Sequence, residues 1–240
     1  MATFLILSAH PGAASFTAAW ARASVEAARA LGHEVLTSDL HAMGFDPVEP
    51  FADPLKDHEA AWESGALDPA VEAEVEKLQA ADRVILHFPV WWFAPPGILK
   101  GWCERVLVHG GLHDVAHRFD TGRLRGKRAL FCVTTGARAE EVGPRGKEGR
   151  LDLLLWPLAY TLRYSGMEVA EPVAVHGVHG YHEGAAREAL EARLARVLAD
   201  QRGVIEGLDH REPWPFHPDG DFDDTGRLRD GIAPLSPFHG

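Results

Sequence analysis

Three short stretches of this 240-residue chain combine hydroxyls, a histidine, aromatic rings and glycine in patterns able to hold a small ligand. The first is His10-Pro11-Gly12-Ala13-Ala14-Ser15-Phe16-Thr17, which links an apolar run to an Ala-rich periodic segment and so enters a helix N-terminus. Free backbone N–H groups and the positive end of the helix dipole make such a point an anion site. Ser15 and Thr17 add hydroxyl donors, and His10 can donate to a phosphate; the plainer alternative is that Ser15 only caps the helix. The stretch matches neither GxGxxG nor GxxxxGK[ST], so neither a dinucleotide-binding Rossmann unit nor a P-loop is indicated. The second, Pro89-Val90-Trp91-Trp92-Phe93, sets three consecutive aromatics between prolines. Flat side chains there, above all Trp92 and Phe93, can cradle a planar ring while the prolines stiffen the backbone; packing at the base of the next helix is the alternative. The third, Thr134-Thr135-Gly136-Ala137, offers two hydroxyls and a glycine at the end of an apolar run, a weak signal alone.

The elements around these stretches explain why they belong together. Short apolar runs at 3–9, 34–40, 83–88, 128–134 and 168–175 read as five buried strands. Helical patterns fall between them, at about 15–31, 69–80, 98–108 and 151–165, with a last one at about 183–201; Asp68-Pro69 is a cap followed by a first-turn proline. Residues 41–68, with three prolines and two glycines, read as a surface excursion with short helical pieces. Strands alternating with helices imply a parallel α/β sheet with right-handed crossovers. Five strands favour the doubly wound, flavodoxin-like order 2-1-3-4-5, in one domain over 1–202 with an extended proline-rich tail over 203–240. In that architecture ligands bind beyond the carboxyl ends of the strands, where the loops leaving strands one, three and four emerge. Those loops are the three stretches above.

Composition narrows the function classes. Lys plus Arg number 24 against 35 Asp plus Glu, a net charge of −11, which argues against a broad nucleic-acid surface. No apolar run approaches the ~20 residues of a membrane span, and the N-terminal apolar stretch lacks a basic flank and reads as a strand rather than a signal peptide. Two distant cysteines fit a reducing, cytoplasmic compartment; Cys132 reads as a strand core thiol, and Cys103 has no base beside it. His109, His113 and His117 recur every four residues, but Gly110 and Gly111 interrupt them and no HExxH accompanies them, so no metal is expected. His176, His179 and His182 read as turn histidines, with His179 the one most able to face a ligand.

HPGAASFT, FPVWWFAPPGILKGWCERVL, VTTGA and LLLWPLAYTLRYSG, in this order over roughly residues 3 to 200, resemble the NAD(P)H:quinone oxidoreductase family of DT-diaphorase type. The pattern FPxxWFxxPxxLKGWxxRV is the most specific part. The resemblance implies a bound flavin, usually FAD and in some bacterial members FMN, with NAD(P)H as hydride donor and a quinone or related two-electron acceptor. It also implies a homodimer whose active site lies at the subunit interface, with His113 near the partner's site. Carried over, His10, Ser15, Phe16 and Thr17 hold the cofactor phosphates. Pro89, Val90, Trp92 and Phe93 line the isoalloxazine, and Thr134, Thr135, Gly136 and Ala137 meet its polar edge. The chain departs from the family after strand four. The Tyr and His that relay a proton there fall, counted without gaps, on Val142 and Glu148. Gly136, Arg145 and Glu148 are therefore the catalytic candidates, with Arg145 and Lys147 as sources of compensating positive charge. The alternative is a flavin-binding regulatory subunit of a membrane transport system, with little turnover.

Overall fold

The computed structural model describes residues 1–237 and 239. Its centre is a parallel sheet in the order β2-β1-β3-β4-β5, formed by β1 (Thr3–Ser8), β2 (Glu34–Asp39), β3 (Arg83–Pro89), β4 (Arg128–Thr134) and β5 (Glu168–Val169), with β6 (Val173–Val175) also paired to β4. β3 and β4 pair over their whole length, from Arg83↔Arg128 to Pro89↔Thr134. Both faces are covered, so the strands are apolar on both sides, as parallel sheets require. Alternation sorts the side chains. Leu5, Leu7, Leu86, Phe88 and Phe131 face one core with Trp102, while Phe4, Ile6, Ile85, Leu130 and Cys132 face the other with Trp20 and Ile205. Each such large apolar side chain contributes about 1.5–3 kcal/mol when fully buried.

The first core is roofed by α3 (Pro69–Ala80), α4 (Gly97–Val106) and α5 (Leu151–Tyr164), and the second by α1 (Phe16–Ala30) with α6 (Gly184–Ala199) and α7 (Gln201–Gly207). α3 starts as its sequence predicts, with Asp68 accepting from Ala70 N at 2.8 Å and Pro69 in the first turn. Two expectations need correction. Residues 41–68 contain an expected helical piece, α2 (Pro54–Ser64), but are not confined to the surface, since Phe45, Ala61 and Leu67 join the first core. A Cβ at Gly101 would overlap the Pro47 backbone, so this segment lies directly on α4. The expected fifth strand is also broken in two. Its offset to β4 grows by one residue between Ala129↔Val169 and Cys132↔Val173, a bulge at the point where Pro172 has no N–H to give. Glu171 N turns away and donates to Glu212 O at 2.9 Å.

The end of the chain docks there. The expected boundary at 202 falls inside α7, and beyond it Trp214 N donates to Val169 O at 2.7 Å while Trp214 and Phe216 pack on the first core. Among the described residues no helix is long and apolar enough to cross a membrane.

Glu74 and His87 are ionisable groups sealed in the interior. The fully buried Glu74 carboxylate accepts from Ser38 Oγ (2.8 Å), Trp102 Nε1 (2.9 Å) and Lys77 Nζ (2.6 Å), which is how a buried charge is tolerated. His87, on β3, lies 3.0 Å from Ser24 Oγ, whose own proton goes to Gln201 Oε1 at 2.8 Å, so His87 Nε2–H is the donor and Nδ1 is left bare. Burial holds His87 down at about 3. Below its unfolded value of 6.5, the unfolded chain binds a proton that the folded chain refuses, and stability falls with pH by about 1.4 kcal/mol per unit. Urea denaturation at pH 7 and pH 5 is expected to show wild type losing about 2 kcal/mol more than His87→Gln, which keeps a donor to Ser24 but does not titrate.

Candidate active site

The three loops emerge at one edge because the ladder of hydrogen bonds runs past the strand ends. Ala9 N donates to His87 O (3.0 Å), Val90 N to Thr134 O (2.8 Å) and Thr135 N to Val175 O (3.0 Å). Beyond Val90 the chain makes a tight reversal, in which Trp91 N donates to Ala94 O (2.9 Å) and Ala94 N to Trp91 O (3.1 Å). Its two central residues, Trp92 and Phe93, have φ of 50° and 64°. Two adjacent bulky residues in the left-handed region cost of order 1–3 kcal/mol each, and such strain concentrates at functional sites. The rings are not repaid by burial, since Trp92 is 94% and Phe93 52% exposed.

These rings form one wall of a cleft of about 260 Å³, also lined by Val90, Thr135, Gly136, Ala137, Val142, Glu148 and Leu154. Pro89 and Thr134 lie just below it, buried as the last residues of β3 and β4. Gly136 is exposed at its rim. Arg145 is exposed and, like Lys147, does not line the cleft, whereas Glu148 does. The loop before α5 accounts for this. Val142 is buried and accepts from Leu151 N (3.0 Å), and Glu148 N donates back to Glu141 O (3.0 Å). A Cβ at Gly146 would collide with the Glu141 carbonyl, so the loop closes tightly and turns Glu148 towards the cleft.

The loop after β1 has the features of an anion cradle. Ser15 does cap α1, its Oγ accepting from Ala18 N at 3.2 Å, which leaves its O–H free to donate. Capping and ligand binding are thus compatible roles for one hydroxyl. The N–H groups of Phe16 and Thr17 open the helix and have no intrahelical carbonyl to meet. Thr17 is buried, and the Phe16 ring packs on Trp20 with centroids 5.4 Å apart. His10 Nδ1 accepts from Gly12 N at 2.9 Å, which puts its proton on Nε2. Burial lowers the His10 pKa. His10 is therefore a neutral donor on the loop.

The sequence singled out His179 after the fifth strand; the structure gives the connecting role to His176. Thr135 Oγ1 donates to Ala137 O (2.8 Å) and lies 2.9 Å from His176 Nδ1, which must therefore carry the hydrogen. Gly177 N donates to the same Ala137 carbonyl (2.9 Å) and Val178 N to Thr135 O (2.9 Å). The turn that presents Gly136 and Ala137 is thus held from β6. His179 instead stacks on His182 with centroids 3.9 Å apart. A histidine immediately after a strand end is the sequence signal this arrangement leaves.

The remaining candidates do not join the cleft. Cys103 is buried and its thiol is pushed up to about 12, and burial also raises Cys132, so neither is a ready nucleophile. His109 and His113 meet edge to face at 5.3 Å, and among the described residues no cluster of His, Cys, Asp or Glu has metal-binding geometry. His113 lines a second, larger groove of about 530 Å³ between α4 and α5, with Leu107, Tyr160 and Tyr164.

The model of the flavodoxin-like fold family matches residues 2–199. Rat NAD(P)H dehydrogenase [quinone] 1 is 36% identical over 233 residues, covering 91% of this chain and 82% of the rat protein. The chain belongs to the NAD(P)H:quinone oxidoreductase family. Another relative in that family, mouse ribosyldihydronicotinamide dehydrogenase [quinone], is 36% identical over 226 residues, covering 88% of this chain and 96% of the mouse protein. Among solved structures, a Klebsiella pneumoniae protein assigned as a quinone reductase superposes with a TM-score of 0.84 at 33% identity, over 98% of this chain and 96% of that one. The family match covers all three loops.

The His176 bond gives a direct expectation. Losing it removes about 1 kcal/mol from the Thr135–Ala137 turn. In His176→Phe, amide exchange at Gly177 and Val178 should quicken by about fivefold, while His176→Asn, which retains a donor, should recover much of the protection.

Proposed function

We propose that the protein is a flavin-dependent NAD(P)H oxidoreductase acting on quinones or related two-electron acceptors, with FAD as the flavin and FMN as the alternative. The observation that carries this reading is the strained, exposed Trp92-Phe93 turn lining one cleft together with Gly136 and Ala137. A slot with an aromatic wall and a backbone wall suits a flat heteroaromatic ring, and the anion cradle of α1 lies on a neighbouring loop, as a phosphorylated cofactor needs. When bound, a flavin supplies reversible hydride-level chemistry.

The chain's own residues bind and orient. Ser15 O–H, the Phe16 and Thr17 amides and His10 Nε2–H donate to the phosphates. Pro89 and Val90 fix the level of the aromatic turn, and Trp92 and Phe93 close one side of the ring slot. Thr134 and Thr135 anchor the opposite turn, from which the Gly136 and Ala137 N–H groups face the polar edge of the ring. Donors preset in this way need no reorganisation when charge develops. Val142 has no side-chain proton to pass on. Glu148 is the group at the cleft able to hold or move one, and it replaces the family's relay with a carboxyl. Arg145 and Lys147, outside the cleft, act on it only through a longer-range field.

A homodimer fits the same reading. The apolar α4–α5 groove carries Leu107, Tyr160 and Tyr164 beside His113, and Val115 next to it is 78% exposed. A second copy of the chain covering that groove buries these groups and brings His113 towards the partner's cleft. The relatives named above are dehydrogenases, which favours turnover over the regulatory alternative.

The test is the visible spectrum of the purified protein before and after anaerobic NADPH, and again after adding a quinone. A flavin band that bleaches and returns is expected, with extraction identifying FAD or FMN. A band that bleaches and stays bleached supports the regulatory subunit. Absence of any band after incubation with either flavin overturns the proposal.

A further inference from the structure

The aromatic turn carries a third ring that the cleft does not use. Trp92 and Phe93 line the cleft, whereas Trp91 is not among its lining residues. Trp91 is the first residue of the reversal, and both of its bonds to Ala94 are main-chain bonds, so its side chain is not needed to make the turn. The indole is 43% exposed, against 94% for Trp92. It turns to the neighbouring loop and meets the His10 ring edge to face, with centroids 5.3 Å apart and planes at 61°. Among the described residues His10 is the one ring in contact with it. β1 and β3 are adjacent in the sheet, so the loops that follow them leave side by side, and this contact bridges the two. A second restraint acts on His10: its Nδ1 accepts from Gly12 N at 2.9 Å, a bond between residues two apart in a half-buried loop. Such a bond fixes the tautomer but competes with water, so alone it restrains the ring only weakly. The packed indole supplies the rest, because it keeps water from one side of the imidazole and holds the ring in place.

We propose that Trp91 is a positioning residue for the cofactor phosphate: its ring holds the His10 imidazole with Nε2–H ready to donate, so that the protein selects a phosphorylated flavin over riboflavin. This rests on the flavin-dependent reading given above and names a residue that sets which form of the flavin is retained. Preorganisation is the physical basis. A donor already held in place loses little freedom when a phosphate arrives, whereas a mobile imidazole must be ordered at the moment of binding. Trp91 acts on His10 and stays out of the cleft, so its effect falls on the phosphate end of the ligand and leaves the ring slot as it is. The family pattern FPxxWFxxPxxLKGWxxRV leaves position 91 open, so the contact comes from this chain's own choice of residue. The same contact sets the spacing between the anion cradle and the aromatic turn, the two loops that receive the two ends of one cofactor.

The experiment titrates the full chain, freed of flavin, with FMN and with riboflavin, which differ by the phosphate alone, and follows flavin fluorescence. In Trp91→Leu the affinity for FMN is expected to fall by about fivefold while riboflavin binds as before, and Trp91→Phe, which keeps a ring, should recover most of the loss. In a His10→Ala background Trp91→Leu should have no further effect on FMN. A readout without any ligand accompanies the titrations: nitrogen-correlated NMR of His10 should show the Nε2–H tautomer in wild type and a mixture of tautomers in Trp91→Leu. Equal losses for FMN and riboflavin in Trp91→Leu overturn the proposal, since they place the effect in the ring slot. So does a Trp91→Leu loss of the same size with and without His10, or an unchanged FMN affinity in Trp91→Leu. Failure of wild type to bind either flavin overturns the flavin-dependent reading itself, and the tautomer comparison then decides separately whether Trp91 holds His10.

Discussion

The site depends on the hydrogen-bond ladder continuing beyond the strands. Ala9, Val90 and Thr135 each donate to the next strand over, at His87, Thr134 and Val175, after their own strands have ended or as they end. In a parallel sheet these bonds set the level at which each chain leaves, so the loops after β1, β3 and β4 start from fixed heights relative to one another. The aromatic turn and the Gly136-Ala137 turn can therefore line one cleft without a dedicated scaffold of their own.

On that base, a few local devices give the cleft its character. The reversal at Trp91–Ala94 forces two bulky residues to positive φ and turns their rings outward. The tight closure at Gly146 accompanies a carboxylate, Glu148, that lines the same cleft. His176, reaching from β6, holds Thr135 and through it the Ala137 carbonyl. The rigidity comes from bonds to neighbouring strands, and the chemistry from three or four side chains set on the loops. This division separates the fold from the loop before α5, which carries Val142 and Glu148.

The chain's interior shows where local reading reached and where it stopped. The apolar runs at 3–9, 83–88 and 128–134 were sufficient to mark the central strands, because both sheet faces are buried and the runs are nearly unbroken. Residues 41–68 misled because prolines and glycines signal turns, but not whether the turns are then packed; Phe45 and Leu67 are core residues only because α3 and α4 lie over them. The fifth strand held a legible warning in Pro172, whose missing N–H interrupts a ladder wherever it falls. The proline-rich tail carried no period to indicate that Trp214 and Phe216 would dock on the sheet, since their partners are supplied by distant strands and helices.

What the sequence by itself determined was the alternation of strands and helices, the sheet order and the identity of the three loops, because periodicity, caps and the handedness of crossovers are local or topological properties. It also pointed to Glu148, through the family resemblance and an ungapped count from Thr135 to Trp156. Only the tertiary structure decided which of the neighbouring charges meets the cleft and which histidine supports it. Arg145, Lys147 and Glu148 are near neighbours in the chain, and His176 and His179 are three residues apart. In an irregular loop no fixed period assigns a side chain to a face, so contacts with Glu141, Leu151 and Thr135 make the choice.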